Sequence, residues 1–245
     1  MKIIAINGSH KGKNGNTDEM VKAFIKGAEE AGAEIENVYL SNKNINHCKA
    51  CNACWFKNPG HCVIKDDMEE IMNKFLNADI CIIATPLYFD NISSMLTTFM
   101  DRLFSLTTPC FEKSENGETR HIKVIESAPK LIMISNCAYP ERTHFQVISN
   151  WIKRVARNAS TEVIGEIYTS QSAFIRSRPE EIQPILLKYM RTLERAGMEI
   201  VTEMKLSEET KKQLEQKFVS DEIYIEQTSK KLINILNNTK SKGTN

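Results

Sequence analysis

The sequence predicts an α/β fold: a doubly wound sheet of five parallel strands, in the order 2-1-3-4-5, with a C-terminal helical extension. Three observations carry this. Short apolar runs alternate with helical stripes along most of the 245 residues. The runs are solidly apolar rather than alternating, as strands covered on both faces are. Gly, Pro or polar segments follow them, where right-handed crossovers leave the sheet.

Residues 2–7 (KIIAIN) read as the first buried strand, bounded by Gly8 and Ser9. Met20, Val21, Phe24, Ile25 and Ala28 then recur at helical spacing, and Gly32 closes that helix. Asn16 or Thr17 is the expected N-cap, because either side chain can accept from the first-turn amides. Ile35, Val38 and Leu40 lie in a second strand. Residues 43–65 break the rhythm and hold four of the seven cysteines. Asp66 and Glu69 resemble a capping pair before a stripe of Met68, Ile71, Met72, Phe75 and Leu76.

Residues 79–85 (DICIIAT) form the most apolar strand, expected at the centre of the sheet and ended by Pro86. Ile92, Met95, Leu96, Phe99, Met100 and Leu103 make the next helical stripe. Residues 107–129 are polar and read as a loop insertion. A fourth strand follows at 130–137, a helix at 144–158, a fifth strand at 162–169 and a helix from Glu180 to Gly197. The remainder, 205–245, reads as two helices and a frayed polar tail. The expected organisation is one domain over 1–204, with a cysteine-rich insertion at 43–65, and an extension over 205–245.

Composition narrows the function classes. Hydrophobic residues make up 41% and charged residues 26%, which is ordinary for a globular chain and too apolar for disorder. Lys plus Arg is 32 against 31 for Asp plus Glu, so the net charge of +1 disfavours nucleic acid or an anionic membrane as partner. No apolar run approaches the ~20 residues of a membrane span. The start, Met1 to Asn7, turns polar too soon for a signal peptide, so the expected location is the cytoplasm. There the seven cysteines should be thiols, metal ligands or redox groups, and their odd number argues against a disulfide framework.

Three strand ends carry the candidate chemistry, because ligands of such sheets bind at the carboxyl ends of the strands. The first is GSHKGKNGNT (8–17), which opens the first helix. Its glycines let backbone amides turn inward, and its hydroxyls and the helix N-terminus favour a phosphate. A Gly-rich turn without a ligand is the alternative. The spacing is neither a Walker A loop nor G-x-G-x-x-G, so a mononucleotide or another phosphate ester fits better than a dinucleotide. The second, Thr85 to Asn91 (TPLYFDN), offers aromatics to cover a planar ring, or simply to pack in the core. The third, Asn136 to Glu141 (NCAYPE), has similar composition at the equivalent place.

Together GSHKGKNGNT, TPLYFDNISSMLTTFMDR and NCAYPE resemble the flavin-binding segments of the flavodoxin-like NAD(P)H-dependent FMN reductases, a family that includes the iron–sulfur flavoproteins. The resemblance runs from Met1 to at least Leu206. It implies that Ser9, His10, Asn16 and Thr17 hold the FMN phosphate. It implies that Pro86, Leu87, Tyr88, Phe89 and Asn91 flank the ring and ribityl chain, and that Cys137, Ala138 and Tyr139 approach the polar edge of the ring. Ala138 departs from the Gly that relatives often carry.

Cys48, Cys51, Cys54 and Cys62 have the spacing C-x2-C-x2-C-x7-C. Three thiolates so spaced can curl round one cubane face, and the turn Asn58-Pro59-Gly60 can return the fourth, so a [4Fe–4S] cluster is one reading. Zinc and free or redox-active thiols are the others. The compact spacing also resembles the cluster motif of iron–sulfur flavoproteins. Cys81 reads as a core residue, and His47 and His61 as surface residues. Trp55 reads either as packing or as a neighbour of the flavin.

The expected function is that of an FMN-dependent oxidoreductase moving electrons from NAD(P)H to a small-molecule or protein acceptor, with no side chain required as acid or base. An iron–sulfur flavoprotein carrying electrons from ferredoxin through the cluster to FMN is the second reading. A zinc-stabilised binding module is the third. The resemblance also implies a homo-oligomer, a dimer or tetramer.

Overall fold

The computed structural model describes residues 1–242. Strand β1 (Lys2–Asn7) leads into α1 (Asn16–Glu30) and β2 (Glu34–Tyr39). The short α2 (Ala53–Phe56) lies within the cysteine segment, followed by α3 (Met68–Leu76), β3 (Ile80–Pro86) and α4 (Ser94–Arg102). Next come β4 (Thr107–Lys113), β5 (Thr119–Lys123), β6 (Lys130–Asn136), α5 (Gln146–Asn158) and β7 (Val163–Thr169). The helices α6 (Ala173–Ser177), α7 (Gln183–Glu203), α8 (Glu208–Leu214) and α9 (Asp221–Lys242) complete the chain. No helix among the described residues is long and apolar enough to cross a membrane.

The main sheet has five parallel strands in the order β2-β1-β3-β6-β7. With β6 and β7 as fourth and fifth core strands, this is the expected 2-1-3-4-5. The strict alternation of side chains along a strand divides the apolar residues between two cores. Ile3, Ala5, Ile80 and Ile82 face Phe24, Leu193 and Ile200 of α1 and α7. Ile4, Ile6, Cys81 and Ile83 face Phe75, Phe99 and Ile152 of α3, α4 and α5. Both faces are buried, which is why Ile3 to Ile6 and Ile80 to Ala84 are apolar without a break. Cys81 is a fully buried core residue, as expected.

Helices α1 and α7 meet at two glycines. A Cβ on Gly27 would run into the Glu194 carbonyl, and one on Gly197 into the Phe24 carbonyl. Beyond residue 205, Leu206, Leu214, Phe218 and Tyr224 join the same core. The tail expected at the extreme C-terminus lies, for residues 243–245, outside the described residues.

Several local expectations are corrected. Residues 107–129 are not merely a loop: β4 and β5 pair as an antiparallel hairpin outside the main sheet. Position 15, not Asn16 or Thr17, is the N-cap of α1, so the backbone of Gly15 starts the helix and both side chains stay available. Leu40 falls in a 3-10 turn after β2. Asp67 occupies the cap position of α3 without a side-chain cap bond, while Asp66 accepts from the first-turn Met68 amide at 3.1 Å and also pairs with Arg102. The helix expected over 180–197 starts at Gln183 and runs to Glu203, because Ile200 continues its buried stripe. Trp55 packs with the hairpin, donating from Nε1 to Thr107 Oγ1 at 3.3 Å and lying 4.4 Å from the Phe104 ring.

Candidate functional site

The carboxyl ends of β1, β3, β6 and β7 open on a cavity of about 590 Å³. Ser9, Asn16 and Thr17 line it from the first loop, Pro86, Leu87 and Tyr88 from the second, and Cys137 and Ala138 from the third. The two crossovers diverge here, so a crevice is the geometric consequence of the strand order.

The first loop is built on backbone constraints. Gly8 N–H donates to Ala84 O at 2.8 Å, and Ser93 Oγ donates to Gly8 O at 2.6 Å, so the loop sits directly on the start of α4. Gly12 has φ +49°, a turn that favours glycine. A Cβ on Gly15 would lie 2.6 Å from Ser9 Oγ, so only glycine leaves that hydroxyl its place. The first-turn amides of α1 have no intrahelical acceptors and carry the positive end of the helix dipole. Thr17 is buried, and its Oγ1 accepts from Asn136 Nδ2 at 2.8 Å, leaving its own hydroxyl proton free for a ligand. Asn7 Nδ2 is buried at the end of β1 without a partner among the described residues.

Four other predicted residues lie beside the cavity rather than in its lining. His10 reaches Ser94 Oγ at 3.3 Å and sets its ring edge 5.7 Å from Tyr88. Tyr88 and Asn91 exchange two backbone hydrogen bonds of 3.0 Å, and Asn91 Oδ1 caps the Ile92 amide. The turn between them holds Phe89 at φ +48° and Asp90 at φ +57°, and it projects the Phe89 ring fully into solvent. Such left-handed residues cost about 1–2 kcal/mol each, so the surrounding contacts must enforce this turn. One of them is His144 Nδ1 with Asp90 Oδ1 at 2.8 Å; the His144 ring stacks 4.1 Å from Tyr139.

Lys11 and Asn14, within the first loop already singled out, also line the cavity, and sequence reasoning missed Ser172, Ala173, Arg176, Ser177 and Lys231. Ser172 follows the end of β7, the fourth strand end at the same edge. The polar run Thr169 to Ser172 was the available signal. Lys231 comes from α9, and no local signal marks it. Lys11, Arg176 and Lys231 bring three cations to the lining, and no carboxylate accompanies them among the described residues. Burial pushes the Cys137 thiol up to about 11, with the Asp90 and Glu141 carboxylates adding to the shift against a backbone bond at Tyr139.

These features fit a phosphorylated flavin. The cavity has the size of a small-molecule site, its amino-helix end suits a phosphate, and Pro86, Leu87, Tyr88 and Ala138 give it an apolar wall. A larger cleft of about 850 Å³ lies under the hairpin, lined by Cys48, Phe104, Phe111 and His121, but it lacks the helix N-terminus and free amides.

The cysteine segment runs along α4. Ser94, which touches His10, is followed one turn later by Thr98, whose Oγ1 lies 2.9 Å from His47 Nδ1. Another turn on, Arg102 holds the ends of the segment, donating to Asn46 O at 2.8 Å and to Asp66 Oδ2 at 2.7 Å. Ala50 and Asn52, at φ +49° and +55°, coil the chain between the first three cysteines. Ala50 N–H donates to Cys48 Sγ at 3.4 Å. All four thiols are free; Cys48 and Cys51 are exposed, Cys54 and Cys62 half-buried. Burial first, then the Cys62, Cys48 and Cys51 thiolates, raise the Cys54 thiol, so the four are electrostatic neighbours. Among the described residues no three His, Cys, Asp or Glu side chains converge in a shell that could hold a metal ion. The donor chemistry of four soft thiols, with an amide already bonded to sulfur, nevertheless fits an iron–sulfur cluster.

The chain is similar to several known proteins. The model of the NADPH-dependent FMN reductase family matches residues 1–121. An iron–sulfur flavoprotein of Archaeoglobus fulgidus is 40% identical over 103 residues, 42% of this chain and 46% of the relative. An iron–sulfur flavoprotein of Methanosarcina thermophila is 40% identical over 102 residues, 42% of this chain and 52% of the relative. The chain thus spans about half the length of the curated relatives it matches. The crystal structure of an FMN-dependent NADH-azoreductase from Bacillus anthracis, in complex with FMN, superposes with a TM-score of 0.58 at 17% identity. It covers 82% of this chain and 99% of that one, a likeness of fold.

Proposed function

We propose that this chain is a member of the NADPH-dependent FMN reductase family whose model it matches over residues 1–121, and that it is an FMN-dependent oxidoreductase that takes electrons from NAD(P)H and passes them to a small-molecule or protein acceptor. One observation carries the reading: the strand-end loops meet over the free amino end of α1, in a cavity with three cations and no acid in its described lining. When bound, FMN would supply the redox chemistry, accepting a hydride equivalent and releasing electrons to the acceptor.

The chain's own residues bind and orient. Ser9, Asn16 and Thr17, with the first-turn amides, hold the phosphate, and His10 stands beside them. Pro86, Leu87 and Tyr88 flank the ring and ribityl chain, with Phe89 and Asn91 shaping the turn beyond. Cys137, Ala138 and Tyr139 meet the polar edge of the ring. The Cys137 thiol stays protonated at neutral pH and so brings no charge to that edge. FMN is preferred to FAD, because the first loop has no dinucleotide fingerprint for a second phosphate. A homo-oligomer in the cytoplasm belongs to the same proposal.

The test is anaerobic mixing of FMN-loaded protein with NADPH and with NADH. Rapid bleaching of the flavin absorbance by at least one donor is the expected result. Bleaching by dithionite but by neither nucleotide would contradict the reductase reading.

The cysteine quartet favours a second reading, in which Cys48, Cys51, Cys54 and Cys62 hold one [4Fe–4S] cluster that exchanges electrons with FMN, with ferredoxin as donor. It is supported by the electrostatic grouping of the thiols and the amide bonded to Cys48 Sγ. Anaerobic iron and acid-labile sulfide analysis should return about four of each per chain. Cys62→Ser should lower both while FMN stays bound. Full zinc occupancy, or four free thiols after reconstitution, would reject the cluster.

A further inference from the structure

Arg102 is a charged residue placed where charge is expensive. It is 2% exposed, and the Asp66 side chain facing it is 0% exposed. The pair is bidentate: Nη1 meets Asp66 Oδ2 at 2.7 Å and Nη2 meets Oδ1 at 3.1 Å. The same guanidinium donates to Asn46 O at 2.8 Å and to Ile64 O at 3.5 Å. Asn46 stands two residues before Cys48, and Ile64 two residues after Cys62. One side chain therefore closes both ends of the cysteine segment onto α4. Asp66 fastens the same two strands of chain, accepting from the Asn46 amide at 2.8 Å.

Burying an ion pair is costly and seldom repaid in stability alone, so its presence here calls for another use. Two observations indicate one. The Nε–H of Arg102 is buried and has no acceptor among the described residues. Cys62 lies against the same guanidinium, and both line one small cavity beside α3. A buried donor without an acceptor costs stability unless something accepts from it. A thiol is a poor acceptor, whereas metal-bound thiolate or sulfide sulfur carries the negative charge that a guanidinium satisfies.

We propose that Arg102 is the positioning residue of the cysteine quartet: it clamps the segment at Asn46 and Ile64, seats Cys62 for iron ligation, and donates its spare N–H to sulfur there. This rests on the reading of the quartet as the ligands of an iron–sulfur cluster. Lys cannot replace Arg in this role. An ammonium is a point donor and cannot span Asp66, both carbonyls and a sulfur with one planar fork.

The test compares wild type, Arg102→Gln, Arg102→Lys and Asp66→Asn, each purified without oxygen and reconstituted with iron and sulfide. Wild type should hold about four iron per chain. Both Arg102 variants should keep FMN stoichiometry and lose at least fivefold in iron. Any cluster left in Arg102→Gln should reduce at a lower potential, because a buried positive charge beside it is gone. In metal-free protein, Cys62 should alkylate at least tenfold faster in Arg102→Lys, which keeps a cation but loses the clamp, than in wild type. Asp66→Asn should show an intermediate loss of iron. If Arg102→Gln fails to fold, shown by loss of FMN, Arg102→Lys decides by the same readouts. Full iron content and an unshifted potential in the folded variants, with wild-type Cys62 alkylation in Arg102→Lys, would overturn the clamp. Absence of iron from wild type would instead defeat the cluster reading, and the alkylation rates would still decide the clamp.

Discussion

Asn136 Nδ2 donates to Thr17 Oγ1 at 2.8 Å, joining residues 119 positions apart in the sequence. The bond ties the end of β6 to the first turn of α1, so the α1 end of the cavity and its third loop are joined directly. It also fixes the direction of the Thr17 hydroxyl, whose lone pair is used by Asn136 and whose proton is free. Preorganised donors of this kind bind without paying to be ordered.

Gly15→Ala probes how tightly that end of the cavity is built. The backbone at Gly15, φ −98° and ψ 156°, accepts alanine, yet the new Cβ would sit 2.6 Å from Ser9 Oγ. The Ser9 hydroxyl must rotate away, at a loss of about 1 kcal/mol of binding, roughly fivefold in FMN affinity. Thermal unfolding should shift little, since the displaced atom is the end of a side chain. Unchanged affinity would mean that Ser9 does not touch the ligand.

Cys137 should be slow to alkylate. With its thiol pushed up to about 11 by burial, its thiolate is scarce at neutral pH, and the thiolate is the reacting species. In reduced, metal-free protein, iodoacetamide followed by peptide mass spectrometry should label exposed Cys110 at least ~100-fold faster than Cys137. Comparable rates would show that the third loop opens in solution.

Acid should weaken the fold through Asp66. Burial alone would raise its carboxyl; the Arg102 hydrogen bonds, with the Asn46 and Met68 amides, override this and hold it at about 2. The unfolded value is near 3.9. The folded state therefore gains full stabilisation from the carboxylate above about pH 4, on the order of 2 kcal/mol, and loses it as pH falls toward 2. Denaturant unfolding of wild type and Asp66→Asn should differ most at neutral pH and converge in acid. A difference independent of pH would show that the pair does not titrate with folding.

The parts of the fold that were legible are those whose residues report burial directly. β1 from Ile3 to Ile6 and β3 from Ile80 to Ala84 are apolar without a break because both faces are covered, and the α3 and α4 stripes show one covered face. The β4–β5 hairpin was not legible: TTPCFEK and TRHIK interleave charges with apolar residues, and Phe111 and Ile122 stay exposed. Nothing in such a strand distinguishes it from a polar loop until it pairs. In the site, the loops after β1, β3 and β6 were readable because each directly follows an apolar run. Arg176 and Lys231 were not, because the packing of α6 and α9 brings them in. Asp66 was legible only as a helix cap: it does accept from the Met68 amide, but its charged partner Arg102 lies 36 residues away.

The central claim, that the first loop holds the phosphate of FMN, is tested most directly by titrating apoprotein with FMN and following flavin fluorescence. Wild type should saturate at one FMN per chain. Ser9→Ala combined with Thr17→Ala removes two buried hydroxyl donors worth about 1–3 kcal/mol each, so its affinity should fall at least tenfold. Equal affinity of the double variant and wild type, or no flavin uptake by wild type, would contradict the account.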